Sequence, residues 1–481
     1  WRVQSVAVKL IVQREREIIN FPQTPYYQII ATFLNDKWEK FDAKRKQQSD
    51  DLSTVKSIIS KTKESSLFVQ SLTKKPWYKS PSAPFTTSTL QQEASRKLWL
   101  PVARTMQIAQ KLYEAWYITY MRTDSVNLSK TAQKQAANEI KKLYWEKYIE
   151  VKNFTSKSKW AQEAHECIRP TNLSKNSAWN DANQKKLYSL IWQRTIASQM
   201  AKAKLEKTTA EITWNLLDNV YVAQGEIITF PWFLKVYDSN DNQDNDTSNQ
   251  FLPKLEEGEE VTIENIIGME KRKNHPPRFT EASLVKKLEE MWIGRPSTYA
   301  PTISTIQKRW YIVKESRSWE MISVNEVHYS PEKWIQQITN QKEYWAEKNK
   351  LFPNDISFIV TDFLQNYFSD IVDYNFTAKV EENFDMIAMG ECDWVTTIGH
   401  FYDWFHDLVE KALAQSSKEF GERLLWYDKE TGKKIIARMW KYWPIVQKGK
   451  ADDDDKAFAP IVTPYSLETV TLEQAQILFS L

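Results

Sequence analysis

The sequence predicts a mixed α and β, multidomain fold, and three observations lead there. The chain has 481 residues, too many for one core when a domain averages about 150. Strand-like alternation occurs in two separate places, residues 25–75 and 206–270, with a helical block between them. A second helical block is expected over 280–417. A sheet interrupted by helices predicts one domain in two halves with another inserted in it.

Residues 1–20 read as a helix, because Val3, Val6, Leu10 and Ile11 recur at helical spacing before a polar Arg/Glu end. Tyr26–Phe33 and Ser66–Leu72 read as strands with a charged connection between them. The hydroxyls of Thr86–Thr89 offer N-caps to a helix through Leu98, and Pro101 suits the first turn of the next. That second helix has Val102, Met106, Ala109, Leu112 and Tyr113 at its apolar positions. A short extended segment carrying Tyr120 follows. Ser129 caps a third helix with Ala132, Ala136, Ile140 and Leu143 on one face, and 184–202 form a fourth. Thr209–Trp214, Val220–Gln224, Phe233–Tyr237 and Glu260–Ile263 read as strands, with Asp238–Gln250 a polar hairpin tip. Thr280 caps a helix to Met291, and Ser297 caps another through Ile303 and Ile306, a helix-turn-helix-like pair. Residues 421–449 carry strand-turn chemistry around Asp428–Gly432, and Ala451–Lys456 is an acidic turn or linker.

Composition narrows the function. An apolar content of 42% is enough for globular cores. No run of 18 apolar residues is present, so no membrane span is expected, and no signal peptide pattern opens the chain. The net charge of +3 means that any nucleic-acid surface is local. Two distant cysteines, Cys167 and Cys392, exclude a four-cysteine zinc ribbon, argue against a disulfide scaffold and fit a reducing cytoplasm. The first residues hold no Met and start inside a helical pattern, as a piece of a longer chain would. Glycine is abnormal: 9 residues, where ordinary usage gives roughly 34. Tryptophan numbers 21, and Trp292 and Trp443 stand where turn chemistry favours glycine.

Four stretches carry candidate chemistry. Tyr117–Ser125 gathers a phenol, a guanidinium, a carboxylate and a hydroxyl. On an extended strand Ile118, Tyr120 and Arg122 share one face, Thr119 and Met121 the other. A phenol with an ordinary pKa of about 10 needs activation. Arg122 would favour phenolate and grip a phosphate bidentately, a workable arrangement for covalent catalysis. The same spacing also describes a half-buried tyrosine beside a surface charge. In Gln162–Pro170, Glu163 and Glu166 flank His165, and Arg169 follows. This is an acid–base or phosphate-gripping cluster, or a capped loop of solvated charges. Its spacing does not match a two-histidine zinc motif, so no zinc is expected. Gly294–Tyr299 sets Arg295, Ser297 and Thr298 at a helix N-terminus, a natural phosphate site or an ordinary capped turn. Arg2, Gln4 and Ser5 place polar groups at the start of the first helix, within reach of backbone phosphate.

In order along the chain, these stretches resemble the signature blocks of bacterial DNA topoisomerase I, a type IA topoisomerase. The blocks are Trp1–Val8, Pro84–Gln92, Ile118–Ser125, Gln162–Thr171, Arg278–Val285, Ile293–Ala300 and Phe376–Glu382. The likeness covers nearly the whole chain, and Pro84–Gln92 and Ile118–Ser125 are its most specific parts. Residues 421–481 resemble an extra C-terminal module of some members, without zinc cysteines.

The resemblance implies a torus. Residues 1–22 would begin a base helical domain, and 23–79 and 206–278 would be the halves of a β hinge domain. Residues 80–205 would be the inserted helical domain with the nucleophile, 279–417 the base domain with a single-strand groove, and 418–481 the C-terminal module. It also implies a reaction: tyrosine nicks one strand through a 5′-phosphotyrosine, another strand passes, and the nick is resealed, relaxing negatively supercoiled DNA. Tyr120 would be the nucleophile and Arg122 would hold the scissile phosphate. His165 and Arg169, with Glu163 nearby, would position the cleaved strand. Arg2, Gln4, Ser5, Arg295, Ser297 and Thr298 would line the groove. The expected partners are single-stranded and negatively supercoiled DNA, with no membrane, for a monomer in the cytoplasm and nucleoid. The family's Mg2+ site lies in an N-terminal Toprim domain to which nothing in this sequence corresponds. The expectation is therefore a fragment that binds single-stranded DNA and does not relax supercoils alone. The competing readings are a non-catalytic single-strand-binding or architectural protein, and topoisomerase III or the topoisomerase half of reverse gyrase.

One departure stands out. The family pattern has glycine where this chain has Trp1, Trp116, Trp232, Trp292, Trp310, Trp440 and Trp443. Glycines needed for a left-handed backbone cannot become tryptophan without about 1–3 kcal/mol each, against a net stability of about 5–15. A codon written as tryptophan here and read as glycine in the source is the expected explanation. The 9 glycines and 21 tryptophans together come close to the roughly 34 glycines of ordinary usage.

Overall fold

The structure is a computed structural model. It describes residues 2–480 apart from 156–164, 178–180, 215–219, 238–251, 318–319, 345–346, 416–420, 429–430, 442, 450–452, 454–455 and 463–464. The polar stretch Asp238–Gln250 thus lies outside the described residues, as does most of the acidic stretch 451–456.

The centre of the architecture is a closed antiparallel barrel. Its strands are β1 (Pro25–Leu34), β2 (Lys40–Arg45), β3 (Leu67–Lys79), β4 (Ala203–Thr213), β5 (Tyr221–Phe230) and β6 (Glu260–Arg272). They pair in the order β1-β2-β5-β4-β3-β6, and β6 pairs back onto β1 from Pro25↔Arg272 to Leu34↔Thr262. Closure pairs each of the six strands with two others over part of its length. Period-two burial along β1 sends Tyr27, Ile29, Ala31 and Phe33 inward, where they join Phe41, Val69, Ile212 and Tyr221. Helix α2 (Leu52–Lys63), capped by Asp51, packs Val55 and Ile59 into this core. A Cβ at Gly268 of β6 would lie 2.4 Å from the Val55 side chain, so glycine is what lets helix and strand approach.

Between β3 and β4 the chain leaves the barrel and builds a helical lobe with its own core. Its helices are α3 (Thr87–Leu98), α4 (Val102–Glu114), α5 (Lys130–Tyr144) and α6 (Ala182–Ser198). The expected N-caps form: Thr86 and Ser129 accept the N–H groups of Thr89 and Ala132. Helix α6 is buried on nearly every side and runs through the lobe's centre.

A third core joins α1 (Arg2–Ile19), α7 (Glu281–Glu290) and α8 (Tyr299–Lys308). Arg278 ties it together, its guanidinium meeting Glu15 at 2.7 Å and Glu347 at 3.0 Å. The expectation of helices throughout 280–417 is corrected here. Residues Ile312–Arg317 (β7), Glu320–Tyr329 (β8), Gln336–Tyr344 (β9) and Glu347–Pro353 (β10) are strands. β7 pairs with β10, while the β8–β9 hairpin extends the barrel sheet through β6. These strands carry Lys, Glu and Gln on their solvated sides, and such composition resembles that of a charged helix. Helices α9 (Asp355–Tyr367), α10 (Tyr374–Ala388) and α11 (Trp394–Gln415) follow. A C-terminal sheet of β11 (Arg423–Tyr427), β12 (Lys434–Trp440), β13 (Trp443–Lys448) and β14 (Ala457–Pro460) packs with α12 (Leu472–Ser480).

Two smaller expectations also change. Phe233–Tyr237 is a 3-10 turn over Trp232–Lys235, with Phe233 and Tyr237, four apart, both buried in the lobe. The charged connection after residue 40 contains β2 and α2, and β3 runs on to Lys79.

Candidate active site

The segment around Tyr120 belongs to no sheet. It is held instead by side-chain hydroxyls that take over the role of a strand ladder. Thr87, fully buried in the first turn of α3, donates to the Met121 carbonyl at 2.7 Å and accepts the Thr123 N–H at 2.8 Å. Thr119 donates to the Cys167 carbonyl at 2.7 Å and accepts the Arg169 N–H at 3.0 Å. Its own N–H reaches the Arg169 carbonyl at 2.9 Å. Bridges Phe85↔Ile168 and Ile118↔Pro170 complete the stitching. Three signature blocks, distant in sequence, therefore meet in one rigid knot.

The knot rests on a buried polar chain. Arg194 of α6 is 8% exposed, donates to the Ala83 carbonyl at 2.6 Å and lies over the Phe85 ring. It also meets the Tyr237 hydroxyl, which donates to Glu93. This fixes where Phe85 enters α3, and so where Thr87 stands.

Side chains then sort by burial. Met121, Thr123 and Ser125 point inward, and Tyr120 and Arg122 are exposed. Ile118 was expected on the Tyr120 face; it is instead 1% exposed and in the lobe core. The reason is that the backbone is not one continuous pleat between 118 and 120. The Tyr120 ring meets Tyr113 edge-on at 5.2 Å and His165 edge-on at 6.2 Å. Arg122 has no ion-pair partner among the described residues, so its guanidinium is available to an anion.

The second block is partly committed to structure. Arg169 binds Glu166 through Nε at 3.1 Å and donates to the Pro170 carbonyl at 3.0 Å. Burial works against the Glu166 carboxylate, but hydrogen bonds from Ser129 and Arg169 outweigh it and hold its pKa below the ordinary range. Arg169 thus braces the loop that carries His165, which is exposed. Glu163 lies outside the described residues.

The third block faces this segment from the neighbouring core. Gly294 has φ +84°, and a Cβ there would sit 2.9 Å from the Thr298 hydroxyl. That hydroxyl accepts the Arg295 N–H at 2.9 Å, and the Thr298 N–H returns to the Arg295 carbonyl at 2.8 Å. The expected cap is corrected: α8 begins at Tyr299, and Ser297 is exposed without capping it. Thr298 holds the N-cap position without a side-chain hydrogen bond to the helix, its hydroxyl being engaged by Arg295. Arg295 pairs with Asp385 of α10. Gln4 and Ser5 of α1 line a narrow cleft beside Ile306, Tyr311 and Thr361. Arg2 opens α1, and its side chain is outside the described ones.

A group that the sequence did not single out joins the two sides. Ser88 of α3, 2% exposed, donates to Glu289 of α7 at 2.6 Å, and Gln92 donates to Ser88 at 2.9 Å. Burial pushes the Glu289 pKa up; Glu290 and Asp124 push the same way and the Ser88 hydrogen bond opposes. Tyr299 is likewise pushed up, by burial first and then by Glu289 and Asp124. One helical face further along, Glu281 of α7 accepts the Val102 N–H at 3.0 Å, and the Val102 side chain is buried in the third core. The lobe bearing Tyr120 is therefore docked on α7 at two points. The sequence signal for this seam was the run of hydroxyls at 86–89, which reads as capping alone.

Known proteins resemble this chain along nearly its whole length. A DNA topoisomerase family model matches residues 2–325. The chain is 37% identical over 524 residues to "DNA topoisomerase 1 type prokaryotic" of Acanthamoeba polyphaga mimivirus, covering 98% of this chain and 60% of that protein. It is 36% identical over 512 residues to DNA topoisomerase 1 of Xylella fastidiosa strain Temecula1, covering 100% of this chain and 59% of that one. Full-length topoisomerase I from Thermotoga maritima superposes with a TM-score of 0.70 at 29% identity, over 95% of this chain and 69% of that structure. The chain thus spans about 60% of the length of these sequence relatives.

Proposed function

The chain belongs to the type IA DNA topoisomerase family, and on that premise we propose that Tyr120 is the nucleophile of a DNA strand-cleavage reaction. The observation that carries the reading is the exposed Tyr120–Arg122 pair, presented on the hydroxyl-stitched knot at the seam of two cores. The Tyr120 oxygen attacks a backbone phosphorus. The bond from phosphorus to the 3′ oxygen breaks, the phosphate stays on tyrosine as a 5′-phosphotyrosine, and the 3′ oxygen leaves as a hydroxyl. The proton that the phenol loses balances the one that the 3′ oxygen gains. Resealing is the reverse, so phosphodiester number is conserved while a second strand passes.

Arg122 neutralises charge on the phosphate in both directions. His165, stacked edge-on to Tyr120, contacts the same strand, and Arg169 acts by bracing the His165 loop. Arg295 and Thr298, with Gln4, Ser5 and Arg2, guide the single strand toward Tyr120. The partner is single-stranded or negatively supercoiled DNA, in the cytoplasm and nucleoid, met by a monomer.

Mg2+ is expected of the family, yet among the described residues no group of three or more His, Cys, Asp and Glu could hold a metal ion. No step is therefore assigned to a metal here. No helix among the described residues is long and apolar enough to cross a membrane.

The test uses the full gene product with a 3′-labelled single-stranded oligonucleotide, denatured to trap covalent product. An adduct that maps to Tyr120 and disappears in Tyr120→Phe, with oligonucleotide binding retained, is expected. An adduct surviving in Tyr120→Phe overturns the assignment. For the 481-residue chain alone, binding of single-stranded DNA without plasmid relaxation is expected.

A further inference from the structure

We infer that the functional protein carries glycine where the sequence reads Trp38, Trp99, Trp116, Trp145, Trp232, Trp292 and Trp310. Among the described residues nine that are not glycine have positive φ, and seven of the nine are these tryptophans. Left-handed backbone brings Cβ against the following carbonyl, and a bulky aromatic residue is among the last expected there.

The hydrogen bonds show which kind of turn each site is. After α4, φ is 59° at Trp116, whose N–H reaches the Tyr113 carbonyl while that of Tyr117 reaches Leu112. After α7, φ is 57° at Trp292, with its N–H on Glu289 and that of Ile293 on Leu288. After α8, φ is 60° at Trp310, with its N–H on Gln307 and that of Tyr311 on Ile306. These are three repeats of the helix-ending motif whose left-handed position is the preferred place of glycine. Trp99 ends α3 in the same left-handed region, at φ 58° and ψ 25°. Trp145, which ends α5, lies at φ 90° and ψ 154°, a region open essentially to glycine alone. Trp38 stands in the β1–β2 turn at φ 62°.

Five of the seven side chains do nothing that would offset the backbone; Trp292 is 48% exposed, and Trp232 alone packs on a core, stacked on Phe230 and edge-on to Tyr148. Trp38, Trp99, Trp116, Trp145 and Trp310 are 71–82% exposed. The contrast is Trp192, which lies inside α6, is 6% exposed and donates its indole N–H to the Leu173 carbonyl at 2.8 Å. Trp232 apart, two populations of tryptophan therefore coexist: one built into a core, one placed where glycine belongs. One codon that the cell decodes as glycine, written here as tryptophan, accounts for the second. The set differs from that suggested by sequence likeness. It adds Trp38, Trp99 and Trp145. It leaves out Trp440 and Trp443, which are in strands without left-handed backbone, and Trp1, which is outside the described residues.

Two of the seven border the site. Trp116 directly precedes the Tyr120 segment, and its carbonyl accepts the Thr171 hydroxyl at 2.6 Å. Trp292 comes two residues before Gly294. With glycine at both, the turns on either side of the seam present backbone to a strand and no indole. This corollary rests on the proposed function; the glycine assignment does not.

Tandem mass spectrometry of the protein purified from the cells that make it tests the inference. Glycine at the seven positions and tryptophan at Trp192 are expected; tryptophan at the seven overturns it. The gene gives an independent check: one codon shared by the seven and a different one at Trp192 supports the inference, and the same codon at Trp192 overturns it. Thermal unfolding of two recombinant chains gives a third. The form with seven glycines is expected to unfold higher, by on the order of 10 °C, and equal midpoints overturn the inference.

Discussion

Replacing Ser88 by alanine removes one hydrogen bond at the seam between the Tyr120 lobe and α7, and the effect is large enough to measure. The Ser88 hydroxyl is 2.6 Å from a Glu289 oxygen, and both groups are shielded from water. A hydrogen bond to a charged group contributes about 1.5–3 kcal/mol. At about 1.4 kcal/mol per factor of ten, the ratio of docked to undocked lobe falls roughly 10- to 100-fold. Hydrogen–deuterium exchange reads this directly: amides of α3 and α7 are expected to exchange faster by that factor, while amides of the barrel strands keep their wild-type rates. The pH dependence follows from the raised Glu289 pKa. A raised carboxyl contributes stability that is fully present below the ordinary glutamate value and is lost as pH rises through the raised value. Docking is therefore tightest in mild acid, and Glu289→Gln, which imitates the protonated form, flattens that dependence. If Ser88→Ala left exchange in α3 and α7 unchanged, or the pH dependence persisted in Glu289→Gln, the seam would not be held by this contact.

The remaining predictions concern the site and its support. Arg122→Lys keeps the charge but loses the planar fork, so DNA cleavage is expected to slow by about 10- to 100-fold, with oligonucleotide affinity nearly unchanged in an anisotropy titration. Thr87→Val strands a buried carbonyl and a buried N–H at Met121 and Thr123; a loss of about 1–3 kcal/mol in denaturant unfolding is expected. Gly294→Ala adds a Cβ at φ +84° against the Thr298 hydroxyl. Weaker single-strand binding is expected, with the barrel's exchange protection intact. Burial pushes the Cys167 thiol up to about 12, so Cys392 is expected to take all the thiol reagent at neutral pH in the native protein, and Cys167 only after unfolding.

How much of this the sequence carried depends on the range of the interaction concerned. Local signals were legible: Thr86, Ser129 and Thr280 cap the expected helices because an N-cap is decided within four residues. Ser297 failed because the Arg295–Thr298 turn delays the helix to Tyr299 and leaves Thr298 at the N-cap position. The hairpin β8–β9 was illegible because, among its described side chains, only Val324 and Val327, with Glu326 among the polar groups, are buried. Its strand character comes from pairing with β6, more than fifty residues away along the chain. The site shows the same division. Tyr120 and Arg122 were readable as a pair, because two-residue alternation from Tyr120 onward is set by the backbone alone. What makes the pair rigid was not readable: it is Thr87 holding residues 121 and 123, and Thr119 holding 167 and 169. A threonine that replaces a sheet ladder has the same sequence signature as one that caps a helix, and Thr87 sits where both readings fit. The geometry resolves the ambiguity, since its hydroxyl is spent on Met121 and Thr123 while Thr86 and Thr89 cap α3 reciprocally. Substituting the two neighbours therefore has separable consequences: Thr86→Ala weakens the start of the helix, whereas Thr87→Ala loosens the segment that carries Tyr120.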